Sequence, residues 1–357
     1  MKIKTMMAMA VASFAAVAAP TAAERGFVVA TDYMKADGKA DVSDAIQKLV
    51  NANPNRTIYF PDGTYLLAKP ICTPANPRLS VDLQLSNYAV FKAAPGWNST
   101  EAMVRLGGIH PANDIRTPGS CYSLTGGVID GSGAAKGVSI DSGRETKVQR
   151  VSMKNVLVGL HIKHGANSGS SDCDIADVNI VGNNAQNSIG VLVDGYDNTL
   201  SNMRIAGVNV GVRLNGGGNL MLNIHPLSGQ GTNSVGFLDF AQNHYRCCYS
   251  DHFDVGFFLA GESLLDNCWA WWYSPHVSAP GARRIAVKCP GRFMAHITNM
   301  TIGFRGTNAT NVVLDAAKDG GSGFFLHPIM NAGMVNEKEK KYLRHLVRLP
   351  LPGASGR

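Results

Sequence analysis

At 357 residues with 45% hydrophobic side chains, the chain is long enough to bury a sizeable core and too apolar to be a disordered or fibrous polymer. The formal charge is +7, but much of the excess lies in Glu337–Arg348 (EKEKKYLRHLVR), which argues against nucleic acid as partner and for an anionic polysaccharide. The seven cysteines are odd in number and match no metal-ligand spacing, so at least one thiol is expected to stay unpaired.

The chain opens MKIKTMMAMAVASFAAVAAPTAA. Lys2 and Lys4 precede an apolar run from Met6 to Ala19, and Thr21-Ala22-Ala23 offers small residues for cleavage, the pattern of an export signal. The run is shorter than the ~20 residues of a spanning helix. Residues 1–23 are therefore expected to be removed, leaving a periplasmic or secreted protein with no membrane partner. Next, Val42, Ile46, Leu49 and Val50 form one stripe of a short helix over 41–52, with Asp41 as its cap and Pro54 beyond its end. In RTIYFPDGTYLL (Arg56–Leu67), two strand-like runs meet at Pro-Asp-Gly. The same short-strand idiom continues after it, so the turn reads as a corner rather than a hairpin.

One phrase then recurs: VGLHI from Val158, IGVLV from Ile189, VGVRL from Val210, VGFLD from Val235 and VGFFL from Val255. Its glycines lie 31, 21, 25 and 20 residues apart and are expected to make tight bends. The period marks a solenoid, and the alternation inside each phrase marks strands. An antiparallel sandwich needs hairpin turns that are lacking, and a propeller blade is about twice as long. The reading is all-β: a parallel β-helix over 24–336 with its open end covered by the helix, and a basic tail over 337–357. A second strand precedes each phrase, with Met203, Ile224, Cys248 and Cys268 pointing inward and Asp177, Asn202 and Asn267 at corners bonding the backbone of adjacent coils. Asp239 and Lys288 break the apolar pattern, which implies a slipped register or an intervening loop.

The run DYMKADGKADVSDAIQKLVNANPNRTIYFPDGTYLL resembles the amino-terminal signature of the pectate-lyase-like superfamily. Lys35–Asp41 and Tyr59–Tyr65 carry the match, and Gly126–Gly133 (GGVIDGSG) is similar to a phrase of its polygalacturonase-like members. His225-Pro226 followed a coil later by Cys248–Asp251 is similar to phage tailspikes. The resemblance implies a right-handed helix that cuts, modifies or binds polysaccharides, and a trimer as one assembly, although no heptad tail supports one. The chain lacks the Asp-Asp and Gly-His-Gly motifs of polygalacturonases, having Lys163-His164-Gly165 instead, so the subfamily stays open.

In a β-helix, outward residues about one coil apart stack at roughly 4.8 Å. That register places His225, Tyr249 and Trp269 in one column beside Arg204, with Asp251 and Trp271 two residues further along. It places Arg246 beside Asp266 in a second, with His244 nearby. These parts suit β-elimination of a uronic acid: Arg246 to neutralise the carboxylate, His or Tyr to take the C5 proton, Tyr249 to protonate the leaving oxygen, and Trp269, Trp271 and Trp272 as platforms for sugar rings. Another column holds His161, Lys163, Asp194, Arg213 and Asn215, with Lys163 and Asp194 as neighbours binding substrate. The alternatives are a glycoside hydrolase or fructotransferase-type enzyme using paired carboxylates (Asp251 with Asp266, or Asp174 with Asp194), and a non-catalytic glycan-binding helix. No cofactor or metal site is implied, although a divalent cation is compatible with the chemistry.

Overall fold

The computed structural model describes residues 26–108, 122–227, 229–272, 283–304, 310–330 and 337–348, so the leader and Cys121 lie outside the described residues. The strands Thr57–Phe60 and Gly63–Leu67 do not pair with each other. The first lies parallel between Phe27–Val29 and Asp82–Leu85, the second parallel between Asp37–Asp41 and Ala89–Ala93. The Pro-Asp-Gly turn is thus a corner, fastened by the Tyr65 hydroxyl donating to the Pro61 carbonyl at 3.0 Å.

Strand pairing among the described residues is parallel throughout, in a network of 24 strands and a separate sheet of 10. This is a right-handed parallel β-helix, right-handed being the sense in which consecutive parallel strands of one sheet connect. The ten-stranded sheet collects the repeated phrases in order. Leu160, Val191, Val212, Phe237 and Phe257 fall in one inward register column and are fully buried, each contributing roughly 2 kcal/mol.

The repeated glycines are not bends. Gly159, Gly190, Gly211, Gly236 and Gly256 sit inside strands with no positive φ. A Cβ on each would meet the backbone oxygen of the next coil at 2.4–2.8 Å, so the column is glycine because coils approach closely there. Gly211→Ala, whose Cβ would also meet Pro226 at 2.5 Å, is expected to destabilise the protein by about 1–3 kcal/mol, read as a lowered denaturant midpoint.

The bends lie elsewhere, in a column of left-handed residues, one per coil: Asp177, Asn202, Asn223, Cys247, Asn267, Asn299 and His327, with φ between 50° and 57°. Short polar side chains tolerate this region best. Asn202 and Asn267 occupy corners as expected, but their side chains bond neighbouring side chains, Asn223 and Asp266, rather than backbone.

Asp239 involves no slip. It continues the inward column of Leu214 and is fully buried. Its carboxylate accepts from Tyr245 Oη (2.8 Å), Ser263 Oγ (2.6 Å), Asn243 Nδ2 (2.8 Å) and Ala241 N (2.9 Å). Asn243 heads a buried ladder in which Asn198, Asn219 and Asn243 bond one another coil by coil at 2.9–3.0 Å. Lys288 simply faces outward between Phe258 and Asp315.

The first helix spans Ser43–Ala52 and buries Ile46, Leu49 and Val50. Asp41 is not its cap residue but ends the preceding strand, and its Oδ1 accepts from Ser43 N at 2.9 Å and Ala68 N at 3.0 Å. The Gln47 side-chain amide bonds both the N–H and the C=O of Cys72 at 2.8 Å, so the helix satisfies the open edge strand of the ten-stranded sheet. At the far end the stacking continues past residue 336: Leu343–Arg344 and Val347–Arg348 pair in parallel with the coil before them.

Candidate functional site

Two grooves flank the left-handed corner at Cys247. On one side Arg204 is in register with His225, and Tyr249 with Trp269. The imidazole and phenol rings stack at 4.2 Å and 9°, and Trp269, 47% exposed, stands at 5.5 Å and 63° to Tyr249. Arg204, folded back to donate to the carbonyls of Met203 (3.0 Å) and Asn223 (3.4 Å), brings its cation to the same hollow of about 340 Å³.

Asp251 completes this side. Its Oδ2 lies 3.7 Å from His225 Nε2, and its Oδ1 pairs closely with Nδ1 of buried His252. Burial pushes the Asp251 carboxyl up, but the His225 and His252 imidazoles beside it outweigh that push and hold the group at about 2. A depressed carboxyl stabilises the fold above its unfolded value of 3.8, and that contribution is lost as pH falls toward 2. Asp251→Asn is therefore expected to cost about 2 kcal/mol above pH 5, with the difference from wild type shrinking between pH 4 and 2 in denaturant titrations.

Arg246 and Asp266, expected to act with this column, lie across the corner. They are neighbours in register but form no ion pair, because Asp266 accepts from Thr298 Oγ1 (2.9 Å) and Asn267 Nδ2 (3.0 Å) instead. With His244 they line a second hollow. Asp251 and Asp266 thus share no groove. Asp174 sits on a strand of the large sheet and Asp194 follows a strand of the other, so that pair does not share one either. Trp272 is no platform: it is 1% exposed and donates to the Phe253 carbonyl at 2.7 Å. Trp271 rests against Gly303, where a Cβ would meet its ring at 2.0 Å.

The ten-stranded face holds a polar network that the sequence reading paired wrongly. Lys163 Nζ bonds Glu101 (2.9 Å) and Asp141 (3.0 Å), not Asp194. Asp194 accepts instead from His161 Nε2 (2.7 Å) and Asn215 Nδ2 (2.6 Å), and Arg213 reaches Asn215 at 3.2 Å. Arg105 joins through Asp141 at 2.5 Å. Glu101, Arg105 and Asp141 went unnoticed, although Asp141, Lys163, Asp194 and Asn215 each follow directly on a strand of one sheet. All three carboxyls are held below their ordinary values: Glu101 by its bond from Lys163; Asp141, although burial pushes it up, by the bonds from Ser139, Lys163 and Arg105, which together outweigh that push; Asp194 by its bond from His161.

The sequence model of the family described as "Rhamnogalacturonase A/epimerase, pectate lyase-like" matches residues 27–232. The chain belongs to this family. No curated protein sequence matches it. Among solved structures, a tailspike protein of E. coli bacteriophage HK620 is similar at a TM-score of 0.57 and 13% identity, over 92% of this chain and 64% of that one. An exopolygalacturonase from Thermotoga maritima is similar at 0.52 and 12%, over 90% and 91%. A GH87 alpha-1,3-glucanase from Streptomyces thermodiastaticus is similar at 0.52 and 12%, over 96% and 68%. At such identities the likeness is one of fold. For the family this means the coils are shared, while the outward side chains that carry chemistry must be read from this chain.

Proposed function

We propose that the protein is an exported polysaccharide lyase that cleaves an acidic glycan by β-elimination in the groove of His225, Tyr249 and Trp269. The observation that carries this reading is the parallel stack of His225 on Tyr249 in one hollow with Arg204 and Trp269, with Asp251 beside the imidazole but outside the hollow's lining. The neutral His225 imidazole, 3.7 Å from Asp251, takes the C5 proton of a uronic acid. Arg204, rather than Arg246, neutralises the sugar carboxylate and stabilises the developing charge. The C5–H electrons form a C4=C5 double bond, the C4–O bond breaks, and the Tyr249 hydroxyl protonates the departing oxygen. Trp269 carries a sugar face.

Hydrolysis by paired carboxylates is less well supported. It needs one carboxyl protonated near neutral pH. Among the described residues no carboxylate lines the hollow, and Glu101, Asp141 and Asp194 are all held in the charged form. The fold relatives named above include an exopolygalacturonase and a tailspike solved in complex with a pentasaccharide, which supports a glycan as ligand.

The test is a panel of purified uronic-acid polysaccharides. The expected product is an unsaturated sugar absorbing in the near ultraviolet. New reducing ends without that absorbance would replace the lyase by a hydrolase, and neither signal, with the polymer bound, would leave a binding protein.

A further inference from the structure

We infer that the groove across the corner, around Arg246, is a second glycan subsite that holds an anionic sugar residue of the same polymer. The inference rests on the glycan reading above but not on elimination chemistry. Arg246 is exposed, and among the described residues no carboxylate pairs with it, since its neighbour Asp266 is committed to Thr298 and Asn267. The guanidinium is therefore available to a ligand carboxylate, for which its planar fork is suited.

The surroundings fit a sugar. The hollow, of about 400 Å³, is mostly apolar, with Leu264 38% exposed and the His296 ring stacked on Phe324 at 4.6 Å and 18°. His244 lies in register with Leu264 and His296 on successive coils. A charged anchor set in flat apolar surface matches a uronic acid, which carries both a carboxylate and C–H faces. Only Cys247 and Cys248 separate Arg246 from Tyr249, at most ~11 Å of chain, so one polymer bound at Tyr249 crosses the corner to reach Arg246. Strand alternation about buried Tyr245 turns Arg246 outward, in register with Leu222 and Asp266 on the two flanking coils.

The probes are octasaccharides and disaccharides of galacturonate, of mannuronate and of hyaluronan, with carboxyl-reduced octasaccharides as uncharged controls, titrated calorimetrically. At least one octasaccharide is expected to bind wild type ten times or more tighter than its disaccharide. Arg246→Ala should remove that gain and leave disaccharide binding unchanged, whereas Trp269→Ala should weaken both. The inference is overturned by equal affinity for an octasaccharide and its reduced form, by wild-type binding in Arg246→Ala, by no binding of any of the three, or by a self-association that Leu264→Asp dissolves. A loss of octasaccharide affinity in Arg246→Ala without any unsaturated product supports the subsite and rejects the lyase.

Discussion

His225→Ala is expected to slow cleavage of the acidic glycan by about 10²–10⁴-fold, the contribution of a positioned general base. The loss should appear in kcat more than in KM, because the imidazole acts on the C5 proton while Arg204 and Trp269 still hold the sugar. The variant also removes one ring from the stack, so Tyr249→Phe is the cleaner companion: it keeps the ring that packs at 4.2 Å on His225 and deletes only the hydroxyl. A comparable fall in rate with an unchanged melting profile assigns the hydroxyl to protonating the leaving oxygen. Full activity in His225→Ala would sink the assignment, and Arg204 would then have to be tested as part of a different centre. Arg246→Ala, by contrast, should leave kcat intact.

Asp239→Leu should cost about 3–5 kcal/mol although leucine matches the apolar column on either side. The carboxylate accepts one backbone hydrogen bond and three from buried side chains, and leucine would leave Tyr245, Asn243 and Ser263 with donors that nothing answers. Asp239→Asn, which retains the shape and one acceptor, should cost less. The ionisation has its own signature. Burial raises the Asp239 carboxyl despite its four donors. The stability linked to a raised carboxyl is complete below the unfolded value of 3.8 and is lost as pH rises through the folded one, opposite in sign to Asp251. Across pH 3 to 7 the deficit of Asp239→Asn relative to wild type should therefore shrink as pH rises, while that of Asp251→Asn should grow, in denaturant midpoints.

The amino-acid sequence by itself determined the winding. Repeated glycines and apolar alternation are local signals, and a coil of regular length leaves parallel stacking as the way to bury them. The columns His225–Tyr249–Trp269 and Arg246–Asp266 followed from that register, as did the inward Met203, Ile224, Cys248 and Cys268. Tertiary structure alone decided what each outward side chain touches. Lys163 turned to Glu101 and Asp141, residues 62 and 22 positions earlier, because a long side chain on a sheet face reaches several coils and chooses the best-placed carboxylate. The glycine phrase suggests a bend, but its cause is the distance between coils, and the true bend, a left-handed residue just before an inward one such as Met203 or Ile224, has only a loose preference for Asn and Asp. That corner divided the foreseen site in two, since φ at Cys247 is set by the coil around it and by nothing visible in its neighbours along the chain.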